Sequence, residues 1–221
     1  MDVSGAAEAV AVPTKKPYSF TPGKLAMWLF LASDAMGFMG FLGVYMVLRV
    51  AAPLRVENLT GEQIAGGFRK IGDPAFGIPL TALMTFVLIC SSVTMVKSLA
   101  AVQRGDVKRM KMWLGATILG GLFFLSCQVY EWSHLIHLGL SPATNYGATF
   151  FFLTGFHGLH VTCGVIYLSC IFRRAMQNAY TQENHSPLEL VGLFWHFVDL
   201  VWIVLFTVIY LMPEPVLRAS Q

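Results

Sequence analysis

Five apolar stretches, each long enough to cross a lipid bilayer, dominate this chain. They run over Leu25–Leu48, Phe76–Leu99, Met112–Leu135, Thr149–Phe172 and Leu190–Met212. A hydrocarbon core about 30 Å thick needs about 20 apolar residues per helix. Inside it every backbone N–H and C=O must find a partner within the protein, which admits only helices and closed barrels. A barrel strand needs only about 10 alternating residues, so these lengths predict helices. The expectation is an all-α integral membrane bundle of five transmembrane helices over residues 25–212, with an amino-terminal segment 1–24 and a tail 213–221.

Composition agrees. Charged residues make up 12% of the chain, against about 25% in soluble domains. The net charge of +3 is spread over loops, which gives no basic patch for nucleic acid. The first 24 residues lack the charged start, short apolar run and small-residue cleavage site of a signal peptide. Cys90, Cys127, Cys163 and Cys170 lie in apolar runs without C-x-x-C spacing and read as buried free thiols. Pro79 falls in the first turn of the second segment, where a missing N–H is tolerated. Pro213 and Pro215 follow the last segment, where a helix should stop.

Lysine and arginine in the loops set the expected orientation. The amino terminus, the loop after segment two and the loop after segment four share one side and carry ten, against five on the other side (Arg49, Arg55, Arg69, Lys70 and Arg218). The amino terminus is therefore expected in the cytoplasm and the carboxyl terminus outside. The longest connection, Val50–Ala75, is expected at the outer face.

Ionisable groups within the spans carry the functional information, because a charge at a helix centre costs roughly 2.5–3.5 kcal/mol on insertion scales. Asp34 lies about nine residues into segment one, roughly 14 Å deep at 1.5 Å per residue. It reads as a hydrogen-bonded carboxyl or a member of a proton relay. Gly37, Gly40 and Gly43 follow at spacing three and read as a surface for close helix packing. Gln128, Glu131 and His134 drift around one face near the end of segment three, beside Tyr130 and Trp132. That places them at the outer interface, partly solvated and within reach of lipid headgroups. His157 and His160 in segment four, and His196 and Asp199 in segment five, are each three residues apart. A buried imidazole needs both ring nitrogens satisfied, so carboxyl partners are expected and Asp34 with His160 is the expected pair. Axial ligation of a transmembrane haem remains open from the histidines alone. A metal site is less well served, since Phe156, Trp195, Phe197 and Trp202 crowd the histidines.

Four stretches carry a family resemblance. Phe151-Phe-Leu-Thr-Gly-Phe-His157-Gly-Leu-His160-Val-Thr-Cys-Gly164 resembles the signature of subunit III of the haem–copper oxygen reductases. So do Leu193-Phe-Trp-His196-Phe-Val-Asp199-Leu-Val-Trp202, Phe123-Phe-Leu-Ser-Cys-Gln128-Val-Tyr-Glu131-Trp, and Leu29-Phe-Leu-Ala-Ser-Asp34. The similarity runs from Leu25 to Met212 and is to the five-helix bacterial form, without the first two helices of the seven-helix form. It implies a non-catalytic membrane subunit that binds no haem, copper or other metal itself. The haems and copper belong to the catalytic subunit I and to subunit II beside it. It further implies phospholipid binding, support of proton uptake and catalytic lifetime, a bacterial inner-membrane location, and compatibility with a larger respiratory supercomplex. Asp34 stands at the family's carbodiimide-reactive carboxyl. The rival readings are a b-type cytochrome or quinone-reactive anchor, and an independent proton channel. The channel lacks carboxylates across the full membrane, since segment two has no ionisable residue from Phe76 to Val96.

Overall fold

A computed structural model describes residues 21–51, 56–57, 63–64, 77–137, 140–143 and 145–211. Among them lie five long helices: α1 (Pro22–Ala51), α2 (Ile78–Gln103), α3 (Val107–His137), α4 (Asn145–Met176) and α5 (Ser186–Phe206). A π-helical turn, Thr207–Leu211, continues α5. All five helices are long and apolar enough to span a membrane. They start or end several residues beyond the apolar stretches, because hydropathy marks only the lipid-immersed turns. Val107-Lys-Arg-Met-Lys opens α3 as helix although charged.

Between α1 and α2, β1 (Val56–Glu57) pairs antiparallel with β2 (Gln63–Ile64), Val56 opposite Ile64. Val50 and Ala51, expected in the Val50–Ala75 connection, end α1, and the rest of that connection lies outside the described residues. So do the 1–20 segment, the helix stop expected at Pro213 and Pro215, and the basic residues Arg55, Arg69, Lys70 and Arg218. Pro79 sits in the first turn of α2, which begins after the left-handed Gly77 (φ 52°).

The closest helix pair is α2 with α3, joined by a tight turn at Gly105 (φ 81°). α5 packs on α1, α2 and α4 and is the innermost helix; half of its most apolar window is buried, against 11% for α1. α1 packs on α4 and α5. One end of the bundle is tied by Lys24 to Glu189 and by the Gln182 amide donating to the Gln103 carbonyl at 3.1 Å. The other end is tied by Arg49, whose guanidinium donates to the Val208 carbonyl at 3.2 Å.

The core is organised around two tryptophans of α5. Trp195 is wholly buried, and its indole N–H donates to Ser91 Oγ on α2 at 3.1 Å. Glycine makes the room: a Cβ on Gly121 would stand 2.6 Å from the Trp195 ring, and one on Gly164 would stand 3.0 Å from it. Trp202 donates to Thr85 Oγ1 on α2 at 2.9 Å. In lipid, where helices gain nothing from expelling water, close packing and interhelical hydrogen bonds hold the bundle.

Two expectations are corrected. A Cβ on Gly37, Gly40 or Gly43 would meet nothing within 4 Å, so no described helix of this chain packs on that stripe. Cys90, Cys163 and Cys170 are exposed rather than buried, and Cys127 is half-buried. An apolar run in a membrane helix turns as readily to lipid as to the core, which hydropathy alone does not separate.

Two measurements follow from this packing. Gly121→Leu should overpack the Trp195 notch and cost about 1–3 kcal/mol, read as a lowered Tm of the detergent-solubilised protein, while Gly40→Leu should leave Tm unchanged. In the α4–α5 loop, burial pushes the Tyr180 phenol above its ordinary value. An acid whose pKa is raised by folding contributes stability below the unfolded value and loses it as pH rises beyond. The protein should therefore lose stability above about pH 10, and Tyr180→Phe should reduce that alkaline loss in thermal melts taken from neutral to alkaline pH.

Candidate functional site

The polar residues of the spans fall into three separate groups. The first joins α1 to α4. His160 Nε2 lies 3.3 Å from Asp34 Oδ1, so the pair expected from depth is brought together. The other ring nitrogen, Nδ1, lies 2.8 Å from the Phe156 carbonyl oxygen. A carbonyl can only accept, so Nδ1 carries a proton. In neutral His160, Nε2 is then a bare acceptor facing a carboxyl oxygen. A proton between them satisfies both atoms, whether it rests on Asp34 or on His160. Phe38 and Phe156 close on the imidazole with ring centroids at 5.4 and 4.7 Å. Asp34 and His160 side chains keep 11% and 14% exposure, so the pair sits near the α1–α4 surface rather than deep in the core.

The second group joins α5 to α2. His196 Nδ1 and Ser92 Oγ are 2.5 Å apart. The imidazole of His196 is thus held by a serine of the neighbouring helix rather than by Asp199. Asp199 is buried, and its Oδ1 has no protein partner.

The third group joins α3 to α2 and to the π turn. Glu131 Oε1 accepts from Thr81 Oγ1 and from the Tyr210 hydroxyl, both at 3.0 Å. Glu131 is only 4% exposed and Gln128 only 5%. The partial solvation expected for them is therefore not found: both turn into the bundle, and the Gln128 amide reaches the Thr154 carbonyl at 3.5 Å. His134, by contrast, is exposed and stacks on Tyr130. Residues at spacing three drift around the helix, so the three cannot share one environment.

His157 corrects another expectation. It is wholly buried, and neither ring nitrogen has a protein partner. Its ring stacks on Trp202 at 4.9 Å and meets the edge of Phe124 at 5.8 Å. It belongs to the aromatic core and has no carboxyl partner among the described residues. With Trp202 over its face and Phe38 and Phe124 on its edges, no room for a macrocycle adjoins it. The nitrogens of His160 and His196 that carry contacts are directed to Asp34, Phe156 and Ser92. Among the described residues, no three His, Cys, Asp or Glu side chains converge as metal ligands.

Sequence reasoning passed over Thr81, Thr85, Ser91 and Ser92 on α2, and Tyr210. The signal was available: hydroxyl residues recur along α2 in an otherwise apolar helix, at a spacing that returns them to neighbouring faces. Arg49 was counted as an exposed loop charge. It is buried, with Tyr45 Oη at 3.3 Å and the Val208 carbonyl as partners.

The fold and its polar interior define an all-helical, multi-pass membrane protein whose ionisable side chains tie helix to helix. The family model for "Cytochrome c oxidase subunit III" matches residues 14–213. "Cytochrome c oxidase subunit 3" of Synechocystis is 36% identical over 186 residues, 83% of this chain and 73% of the relative. "Quinol oxidase subunit 3" of Bacillus subtilis is 32% identical, over 85% of this chain and 86% of the relative. "Probable cytochrome c oxidase subunit 3" of Mycobacterium tuberculosis is 36% identical, over 82% and 84%. The chain belongs to the subunit III family of the haem–copper oxidases.

Glu131→Ala should remove the acceptor that the Thr81 and Tyr210 hydroxyls share and cost about 1–3 kcal/mol. Glu131→Gln, which keeps an acceptor oxygen, should cost less than half of that. Unfolding of the solubilised protein followed by circular dichroism separates the two, and equal losses would show that Oε1 is not the anchoring atom.

Proposed function

We propose that this chain is the non-catalytic subunit III of a proton-pumping terminal oxidase in a bacterial inner membrane. It lies against the catalytic subunit I with subunit II nearby, stabilises the catalytic subunit and supports its proton uptake. The haems and copper that reduce oxygen to water are held by those partners. Relatives are named as subunits of cytochrome c oxidases and of quinol oxidases, and the reading covers either electron donor. The amino terminus is cytoplasmic and the carboxyl terminus outside. The b-type cytochrome reading is not favoured, since the family and the aromatic packing of His157 both speak against it.

The observation that carries the proton role is the Asp34–His160 pair. Two helices meet there through one shared proton in apolar surroundings, and an intramembrane carboxyl is expensive enough to need a purpose. His157 and His196 serve this role less directly, through packing and the hydrogen bond to Ser92, and Asp199 as a buried carboxyl one turn along α5 from His196. The open glycine stripe of α1, with Met36 and Met39 exposed beside it, offers a neighbouring helix close approach and supports docking of subunit I on this face. Phospholipid contact falls to His134 and Tyr130, which are exposed, rather than to Glu131 and Gln128.

Deleting this chain should leave the haem spectrum of the remaining complex intact and shorten its catalytic lifetime. Loss of the haem signal would instead assign the chain a cofactor or assembly role. Asp34→Asn and His160→Phe in the intact complex should each reproduce part of the shortened lifetime, on the order of tenfold or more for loss of a positioned proton-transfer group. A wild-type lifetime in both variants, measured as turnovers before inactivation, would overturn the role given to the pair.

A further inference from the structure

A pocket of about 340 Å³ opens between α1, α2 and α5 at the end of the bundle that carries Lys24. Small-molecule sites run from about 300 to 1,000 Å³ and are mostly apolar, with a few placed polar groups. Trp28 of α1, Met95 of α2 and Leu193 of α5 form its apolar walls. Trp28 is 54% exposed, so its indole face is open to an occupant. A second cavity, of about 310 Å³ between α1 and α4, has no ionisable side chain in its lining.

Two polar features decide what the first pocket can hold. At its mouth the Lys24 ammonium is paired with Glu189, which also meets His185 Nε2 at 3.1 Å. The cation there is already matched by an anion, which favours a neutral occupant over a charged headgroup. Deeper in, His196 stands ten residues beyond the start of α5, about 15 Å along the helix axis. Its Nδ1 lies 2.5 Å from Ser92 Oγ, which leaves Nε2 for the pocket. An acyl chain would cover Nε2 with methylene groups and leave a polar atom without a partner, which is costly in apolar surroundings. An occupant with an oxygen at that depth satisfies it. The Ser92 hydroxyl can act in either sense. When it donates to Nδ1, Nε2 carries the hydrogen and can donate to a carbonyl. When it accepts from Nδ1–H, Nε2 is bare and can accept from a hydroxyl.

We infer that this pocket binds the ring of a membrane quinone, in its oxidised or reduced form. One ring oxygen meets His196 Nε2, the ring lies against Trp28, and the apolar tail runs out to the lipid. The tautomer choice open to His196 and Ser92 lets one site take a quinone carbonyl or a quinol hydroxyl with no change of charge. Aromatic rings favour offset stacking, and the flexible Met95 thioether adapts to the ring's outline. The ring is bound and released unchanged, with no electron or proton transferred. The site adds a ligand to a subunit otherwise assigned stabilisation, and it does not depend on the role given to the Asp34–His160 pair.

Photolabelling of the intact complex in nanodiscs with an azido-substituted, short-tailed benzoquinone, followed by mass spectrometry of this chain's peptides, tests the site. Label should land on the peptides that hold Trp28 or Leu193, and excess decyl-benzoquinone or its quinol should prevent it. Oleic acid, which has an acyl chain and no ring, should not. His196→Leu should raise the decyl-benzoquinone concentration for half-protection by roughly tenfold, as expected for loss of one hydrogen bond. His196→Gln, whose amide offers a donor and an acceptor, should recover part of that. Leu193→Trp should remove the label by filling the pocket. The wild-type competition carries the test if the variants do not assemble. The inference falls if the label misses both peptides, if decyl-benzoquinone does not protect, or if Leu193→Trp is labelled at the wild-type level. It falls equally if oleic acid protects as well as the quinone, which would make the occupant an acyl chain.

Discussion

Two indole N–H groups on α5 hold the bundle together. Trp195 and Trp202 each bury a large ring and deliver a donor to a hydroxyl of α2. In lipid a buried indole N–H without an acceptor is as costly as in any apolar medium, so the two helices are fixed in rotation and in height. Those two contacts also decide where everything else on α5 points. With Trp195 facing Ser91 and the glycines of α3 and α4, His196 meets Ser92. With Trp202 facing Thr85, its ring covers His157.

The polar interior is divided rather than continuous. Asp34 and His160 face each other near the rim of the bundle, where α1 packs lightly. Glu131 sits at the opposite end of the bundle from Lys24 and gathers α2, α3 and the π turn after α5. The π turn has a reason there: Arg49 takes the Val208 carbonyl while Tyr210 reaches Glu131. Local irregularity of this kind is common where side chains compete with the helical ladder. Each group keeps its own partners: His160 for Asp34, Ser92 for His196, and Thr81 with Tyr210 for Glu131.

Much of this was legible from the chain. The five helices follow from apolar length, and the Asp34–His160 pairing follows from depth and mutual need. The interior placement of Glu131 and Gln128 was not legible, because a spacing of three residues states that they drift around a helix but not which way the helix is turned. The hydroxyls of α2 were equally silent: a serine costs little in a membrane helix and gives no alarm in a hydropathy profile. Arg49 misled for the reverse reason, since a charge at a helix end reads as loop until a carbonyl from a distant segment is brought beside it.

By itself, then, the chain determined the number of spans, the helical state and the set of costly groups that need partners, because backbone satisfaction in lipid depends only on local length and polarity. Tertiary structure alone decided the partners. Whether His157 would meet a carboxyl or a tryptophan, and whether His196 would meet Asp199 or Ser92, depends on the rotation of each helix about its axis. That rotation is set by the glycine notch around Trp195 and the hydroxyls opposite it, contacts between residues far apart in sequence.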